Sequence, residues 1–264
     1  MSSLLVKNGT VVTATDRYQA DVFIEGERIS MIGTKLDVTA DREIDASGCY
    51  LFPGGIDAHT HMELPFMGTH ASDSFESGTL AGLHGGTTTI IDFAIQTQGE
   101  SLEAAIEAWH KKADGHAVGD YAFHCAVTDF NDNTRKELPD VINKHGINSF
   151  KIFMAYKGAL MIDDRQMYEL MQELVELGGI VTAHTENGDM IDSNIQKNLA
   201  AGNTAPKYHV LSRPAICEAE AAGRAIDLAY ETGCAFYIVH TTCEETLAKV
   251  KAATLRNQKV HVET

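Results

Sequence analysis

The chain has 264 residues, which is enough for one large domain or two smaller ones. Hydrophobic residues make up 44% and charged residues 22% of the sequence, which excludes disordered and fibrous proteins. The formal net charge of −16 argues against binding to nucleic acid or to an anionic membrane surface. No apolar run reaches the roughly 20 residues that a membrane-spanning helix needs.

Cysteine usage and the first residues indicate the compartment. The five cysteines are odd in number and form no CxxC pair, so neither a disulfide framework nor a zinc ribbon is predicted. The chain does not open in the order of a secretory signal peptide. We therefore expect a reduced, cytoplasmic protein.

The first fifty residues alternate between apolar and polar positions, as β-strands do. Asn8-Gly9 and Gly26 each separate two short apolar runs, which predicts two hairpins. No amphipathic helix pattern occurs before residue 52. Residues 1–51 are therefore predicted to form a small β-module.

After Pro53 the pattern changes to strands that alternate with helices. Apolar runs typical of buried strands occupy seven segments, namely 52–57, 87–93, 121–127, 149–153, 180–183, 235–239 and 260–262. Repeated βα units predict a parallel sheet, either doubly wound or closed into a (β/α)8 barrel. No GxGxxG loop follows the first strand, which disfavours a dinucleotide site.

Three helices are marked by their ends as well as by their apolar faces. Residues 164–177 carry a stripe at helical spacing between Asp164, the predicted N-cap, and Gly178. A second helix is predicted over about 214–232. A third is predicted to begin at a capping box, 242–245.

Four of the twelve histidines are predicted to lie at one edge of this sheet. His59 and His61 follow the first strand at a spacing of two, so that both side chains share a face. His184 and His240 end two later strands. Because catalytic groups of barrels lie at the carboxyl ends of strands, and imidazole is a common ligand of zinc-like ions, this pattern predicts a metal site.

Lys151 lies within an apolar strand, where a lysine has no obvious route to solvent. One interpretation is that its ammonium group extends to the rim of the sheet. Beside a metal cluster there is another, because a desolvated lysine deprotonates more readily and can react with CO2 to give a carbamate that bridges two cations.

Five segments resemble the cyclic amidohydrolases, and the dihydropyrimidinases and D-hydantoinases in particular. They are residues 53–61 (PGGIDAHTH), 62–69 (MELPFMGT), 85–93 (GGTTTIIDF), 149–156 (SFKIFMAY) and 184–189 (HTENGD). The resemblance covers essentially the whole chain. It implies an α/β fold: a metal-dependent (β/α)8 barrel, incomplete at its C-terminal end, with six to seven βα units in residues 52–264. Residues 1–51 would be the N-terminal part of a β-sandwich module.

The same resemblance implies a centre of two divalent metal ions, usually zinc. His59 and His61 would bind the more buried ion and His184 and His240 the other, with Lys151, carboxylated, between them. The reaction implied is the hydrolytic opening of a 5,6-dihydropyrimidine or hydantoin ring to an N-carbamoyl amino acid, by a hydroxide that the two ions hold.

The resemblance also implies roles around the metal ions. Asp57 would support the ligands from behind, and Tyr156 would act in catalysis by bonding to the substrate carbonyl. The pocket around the ring substituent would be shaped by Leu64, Phe66 and Phe153. The partners implied are a small cyclic amide and further copies of the chain, as a homotetramer.

One expected group is missing from the sequence. In the family, an Asp at the end of the eighth strand carries the proton to the leaving ring nitrogen, and no corresponding residue occurs here. We therefore expect the 264 residues to be the N-terminal part of a longer enzyme, and to bind metal weakly and hydrolyse little by themselves.

Three alternatives stay open. Dihydroorotases place an Arg where this sequence has Glu63, which disfavours that activity. Allantoinases usually have Asn there and a different following loop. Dihydropyrimidinase-related proteins of the collapsin response mediator type keep the fold as cytoskeletal adaptors but lack the metal ligands, which are all present here.

Overall fold

The computed structural model describes residues 2–66 and 68–264, so that Met67 of the 62–69 motif lies outside the described residues. The chain divides into two compact units. The first is Met1–Gly55 with Gly86–Thr88, and the second is Ile56–Gly85 with Thr89–Thr264. Within the described ranges, no helix is both long and apolar enough to cross a membrane.

The first unit is a β-sheet around a small apolar core. Its strands are β1 (Ser3–Val12), β2 (Arg17–Glu25), β3 (Arg28–Gly33), β4 (Arg42–Asp45) and β5 (Tyr50–Leu51). The sheet order is β3-β2-β1-β4. β4 pairs with the first half of β1, and β5 pairs with Thr10 and Val11 in its second half. The β2–β3 hairpin around Gly26 is confirmed.

The predicted hairpin at Asn8-Gly9 is wrong. Asn8 lies inside β1, has φ 62°, and marks a register shift between Val6 and Gly9 in the pairing with β2. Its backbone N–H donates to Asp21 at 2.8 Å instead of to the ladder. Asn-Gly suits a positive φ in a bulge as well as in a turn, and only the partner strand distinguishes the two.

The second unit contains the alternating strands and helices. Its strands are β6 (Gly55–Thr60), β7 (Pro65–Phe66), β8 (Thr69–His70), β9 (Thr87–Ile95), β10 (Asp120–Ala126), β11 (Ser149–Phe153), β12 (Ile180–His184), β13 (Ala235–Ile238) and β14 (Val260–Val262). Its helices are α1 (Phe75–Gly85), α2 (Leu102–Ala113), α3 (Asp132–His145), α4 (Asp164–Leu177), α5 (Gly188–Ala200), α6 (Lys207–Leu211), α7 (Ala215–Thr232) and α8 (Glu244–Leu255).

The order of the strands decides between the two predicted architectures. Seven strands form one sheet in the order β14-β13-β12-β11-β10-β9-β6, which is the order of the sequence. The described registers from β9 to β14 are all parallel. A doubly wound sheet reverses its order part-way, whereas a barrel does not. The sheet is therefore an incomplete (β/α)8 barrel, open between β6 and β14 among the described residues.

The first barrel strand begins later than predicted. Residues 52–57 were expected, but β6 covers Gly55–Thr60, because Pro53 cannot donate to a ladder and pairing starts at the Gly55 N–H. His59 consequently lies inside the strand instead of following it. Most of β6 is also exposed, since it is an edge strand here.

Two predicted helix caps need correction. The N-cap of α4 is Asp163, one residue before Asp164, and it forms a capping box with Gln166, while Gly178 ends the helix in the left-handed conformation as predicted. The predicted capping box of α8 is absent among its described bonds: Cys243 is the N-cap without a side-chain bond, because Thr242 bonds to Glu218 instead.

Alternation along β11 separates the core from the inner face of the sheet. Phe150 and Ile152 are fully buried in the main apolar core, whereas Lys151 and Phe153 point to the opposite face. That face, at the carboxyl ends of the strands, carries the candidate site.

Candidate active site at the carboxyl edge of the sheet

A cavity of about 420 Å3 opens at the carboxyl ends of the parallel strands. His184 is the last residue of β12, and His240 follows β13 by two residues. The predicted site residues that line the cavity are His61, Leu64, Phe66, Lys151, Phe153, Tyr156, His184 and His240. The structure thus brings together side chains that are far apart in the sequence.

The first histidine pair comes from the end of β6: His59 lies in the strand and His61 is the residue directly after it. The ring centroids of His59 and His61 are 5.2 Å apart, and Phe93 lies 4.7 Å from the first ring and 5.0 Å from the second. Burial lowers the pKa of both imidazoles, with nearby positive charges adding to the effect, and the pKa of His61 falls to about 3. Both rings are therefore neutral at pH 7 and keep a lone pair for a cation.

The second pair comes from neighbouring strands. Pairing of β12 with β13 places Nδ1 of His184 3.0 Å from Nε2 of His240. Burial lowers the pKa of both rings, to about 4 in His240, and His184 and Lys151 add to the shift there. The two pairs are linked, because the rings of His59 and His240 are 5.6 Å apart.

Lys151 is one of the most deeply buried polar residues. Its side chain is 1% exposed, and its Nζ lies 5.0 Å from the ring of Phe93 and 5.3 Å from that of Phe153. Burial lowers the pKa of its ammonium group to about 7. The rim position considered for this lysine is thus not the one it adopts.

Tyr156 lies at the second pair and beside the apolar wall. Its ring is 5.1 Å from that of His184 and 5.3 Å from that of Phe66. Its φ of 67° is unusual for a bulky residue and directs the side chain into the cavity. Burial raises the pKa of its hydroxyl, as does Glu186, so the group remains a donor at neutral pH.

Asp57 is placed differently from the other predicted site residues. It is exposed on β6, outside the cavity lining, and its carboxylate accepts the backbone N–H of His59 at 3.1 Å. It therefore contacts the backbone of a candidate ligand and not the ring.

Two carboxylates that the sequence analysis did not select contact the histidines. Glu263, just after β14, bonds to Nδ1 of His59, and Glu186 bonds to Nε2 of His184 at 2.6 Å. Both follow the placement rule used for the histidines, since each comes at or just after the carboxyl end of a strand. Applying that rule to acidic residues would have found them.

The remaining histidines were predicted to lie mostly on the surface or in loops; His124 differs, whereas His209 is exposed as predicted but also lines the cavity. His124 lies on β10, stacks on Phe93 at 4.6 Å, and bonds through Nε2 to the Ala58 carbonyl at 2.9 Å. Phe93 thus supports three histidines, and its place at the end of the predicted strand 87–93 was the only sequence signal.

The histidine pairs and Lys151 are the candidate metal ligands of the site. Among the described side chains, no three His, Cys, Asp or Glu residues are arranged to hold one ion. The histidines instead form two pairs, and Lys151 could supply a third ligand to each pair only as a carbamate. Metal–nitrogen bonds of about 2.0–2.1 Å place two tetrahedral ligand atoms roughly 3.3 Å apart, close to the 3.0 Å found between His184 and His240.

The first pair contains a buried ring nitrogen without a hydrogen-bond partner in the described part of the chain. Nδ1 of His61 is buried and has no hydrogen-bond partner among the described residues. Such an atom is costly to bury. Neutral imidazoles in pairs, with a deprotonatable lysine, are ligands that suit zinc-like ions.

Comparison with known proteins identifies the family. Residues 50–261 match the amidohydrolase family. The chain belongs to the amidohydrolase family. Amidohydrolases generally act with a binuclear metal centre, which agrees with two neighbouring histidine pairs whose rings come within 5.6 Å of each other.

Individual relatives cover nearly all of this chain. It is 50% identical over 258 residues to a D-hydantoinase of Geobacillus stearothermophilus and 44% identical over 262 residues to a dihydropyrimidinase of Rattus norvegicus. These alignments cover 98% and 97% of this chain, and 54% and 50% of the relatives. The chain thus spans about half the length of the curated relatives that it matches.

The fold agrees with solved structures. The crystal structure of dihydropyrimidinase from Brevibacillus agri superposes with a TM-score of 0.97 at 48% identity, covering 99% of this chain and 57% of that one. The family resemblance read from the five motifs and the amidohydrolase barrel are therefore confirmed.

Proposed function

We propose that this chain carries the metal-binding part of an enzyme that hydrolyses cyclic amides or imides, opening 5,6-dihydropyrimidine or hydantoin rings to N-carbamoyl amino acids. The observation that carries the proposal is the convergence of His61, His184, His240 and Lys151 on one cavity, with the ring of His59 against those of His61 and His240. The names of the relatives, D-hydantoinase and dihydropyrimidinase, support the choice of ring.

The proposed ligands fall into two sets. His59 and His61 would hold one ion, His184 and His240 the other, and Lys151 would reach both. We take zinc as the metal because the donors are neutral imidazoles. When bound, two such ions supply Lewis acidity: they lower the pKa of water to near neutrality and polarise a carbonyl group.

Burial prepares Lys151 for its proposed modification. With a pKa of about 7, a large share of the side chain is neutral amine at neutral pH. That amine can form an N–C bond with CO2 and release a proton, which leaves a carbamate anion. The anion has two oxygens that can bind cations, whereas an ammonium group at the same place would repel them.

Tyr156 and the apolar wall would bind the ring. The Tyr156 hydroxyl, protonated at neutral pH, can donate to the carbonyl oxygen as negative charge develops there. Leu64, Phe66 and Phe153 line the same cavity and would contact a substituent on the ring. Asp57 would hold the backbone of His59 in place.

The proposal extends to the assembly and to the division of the chain. Residues 1–51 would be part of a β-sandwich module and residues 52–264 six to seven barrel units. The enzyme would be a cytoplasmic homotetramer. The exposed apolar side chains of Val210 and Leu211 on α6, 70% and 62% exposed, are consistent with a contact between copies.

The test uses the protein expressed from its complete gene, so that any residues outside the 264 of this sequence are also present. Ring opening of dihydrouracil and hydantoin is measured beside metal content on the same sample. We expect activity that a chelator abolishes and zinc restores. Ring opening that is unchanged after complete removal of metal would refute the proposal. So would an active protein that contains no metal and does not bind added zinc.

A further inference from the structure

Two carboxylates contact the histidine pairs, one at each pair. Glu263 Oε1 bonds to Nδ1 of His59, and Glu186 Oε2 lies 2.6 Å from Nε2 of His184. Each carboxylate contacts one nitrogen of its ring and leaves the second nitrogen free of it. One histidine of each pair is thus held by an acidic residue.

These bonds determine where the ring protons lie. An ionised carboxylate only accepts hydrogen bonds, so Nδ1 of His59 and Nε2 of His184 must donate. In a neutral imidazole the opposite nitrogen then carries the lone pair. In His184 that nitrogen is Nδ1, and it points at Nε2 of His240 at 3.0 Å.

Both carboxylates are themselves fixed by other donors. The Tyr237 hydroxyl donates to Glu263 Oε2 at 3.1 Å, and Arg213 donates to Glu186 Oε2 at 2.6 Å. Their side chains are only 23% and 18% exposed. A carboxylate held in this way constrains both the rotation and the tautomer of the imidazole that bonds to it.

We infer that Glu263 and Glu186 are positioning residues of the metal centre, which orient His59 and His184 and select the ring nitrogen that binds each ion. The nitrogens left free for a cation would be Nε2 of His59 and Nδ1 of His184. The inference rests on the proposed function, because it requires these histidines to bind metal.

Metal affinity in conservative variants tests the role. Glu186→Gln and Glu263→Gln keep the size of the side chain and remove the charge that fixes the ring proton. Loss of such a partner typically weakens metal binding by about 10–100-fold, and we expect a loss in that range in competition with a chelator. Glu169→Gln is the matched control, because Glu169 pairs with Arg135 at 2.8 Å, away from the cavity.

A second measurement needs no variant and therefore does not depend on whether a variant folds. In the zinc-loaded protein with 15N-labelled histidine, the nitrogen shifts should show a protonated Nδ1 in His59 and a protonated Nε2 in His184. The opposite protonation in both rings would overturn the inference.

The outcomes separate the two hypotheses. A wild-type protein that binds no metal refutes the proposed function. A wild-type protein that binds two ions, together with Gln variants that bind them as tightly as the Glu169→Gln control, refutes only the positioning role.

Discussion

His59 and His61 are brought together by their spacing at the end of β6, whereas His184 and His240 meet because two strands pair. In the first pair a spacing of two residues puts both rings on one face, with Phe93 packed against them. In the second pair 56 positions separate the residues, and the register of β12 against β13 places two ring nitrogens 3.0 Å apart. The first pair is a local property of the chain and the second a tertiary one.

The difference explains what each pair requires. The first pair is set by the spacing of its two residues and supported by Phe93, with Glu263 as its contact from a distant part of the chain. The second pair needs a correct register and stays close to Phe153 and Tyr156. Lys151, on the strand next to β12, is the residue that both pairs share.

The largest effect is expected from a change at Lys151, the residue that both histidine pairs share. In the protein expressed from its complete gene, Lys151→Ala should empty both pairs of metal and lower ring opening by about 10³-fold or more, since several kcal/mol of charge stabilisation are lost. Added short carboxylic acids should restore part of the activity by replacing the carbamate. Lys144→Ala, at an exposed lysine on α3, is the control. Full activity in Lys151→Ala without added acid would contradict the role.

Removing the hydroxyl of Tyr156, which lies beside the second pair, should leave both metal ions bound. Tyr156→Phe is expected to lower kcat by roughly 10²–10³-fold, the usual cost of one donor to a developing oxyanion, with metal content unchanged. Tyr121→Phe, at a tyrosine that bonds to Asp114 away from the cavity, should keep wild-type turnover. An unaltered kcat in Tyr156→Phe would make the residue a packing residue only.

The burial of Lys151 should appear as a pH dependence of stability in the metal-free protein. Its pKa is about 7 when folded and 10.5 when unfolded, so between these values the unfolded state binds more protons and stability rises with pH. Lys151→Met should therefore be more stable than wild type by up to about 4 kcal/mol at pH 7, and the gap should shrink towards pH 10. Denaturant unfolding in CO2-free buffer measures it, and a gap that is constant with pH would contradict the burial.

The smallest effect tests whether the pairs act independently. His61→Gln and His240→Gln should each lower metal content from about two ions per chain towards one, because each variant leaves the other pair intact. Elemental analysis after gel filtration measures the ratio. Loss of both ions in either variant would show that the pairs form a single cooperative site.

Much of the site followed from patterns along the chain. The four histidines could be selected because each lies at or near the end of a predicted strand, and such ends meet in a parallel sheet. Lys151 could be selected because a lysine within an apolar strand is unusual. Glu263 and Glu186 also lie just after strand ends, and the same rule applied to acidic residues would have selected them, but only the structure shows which histidine each one contacts. Phe93 was likewise indistinguishable from any core phenylalanine.

Local features of the fold were determined by the sequence itself: the alternation of strands and helices, the α4 stripe with its Gly178 end, and the His59–His61 spacing all follow from periodicity and backbone preference. Tertiary structure decided the rest. The Asn8-Gly9 bulge depended on which strand pairs with β1, and the start of β6 on where pairing begins after Pro53. The second histidine pair and the shifted pKa of Lys151 depended on sheet register and burial, which bring distant residues together and remove water from them.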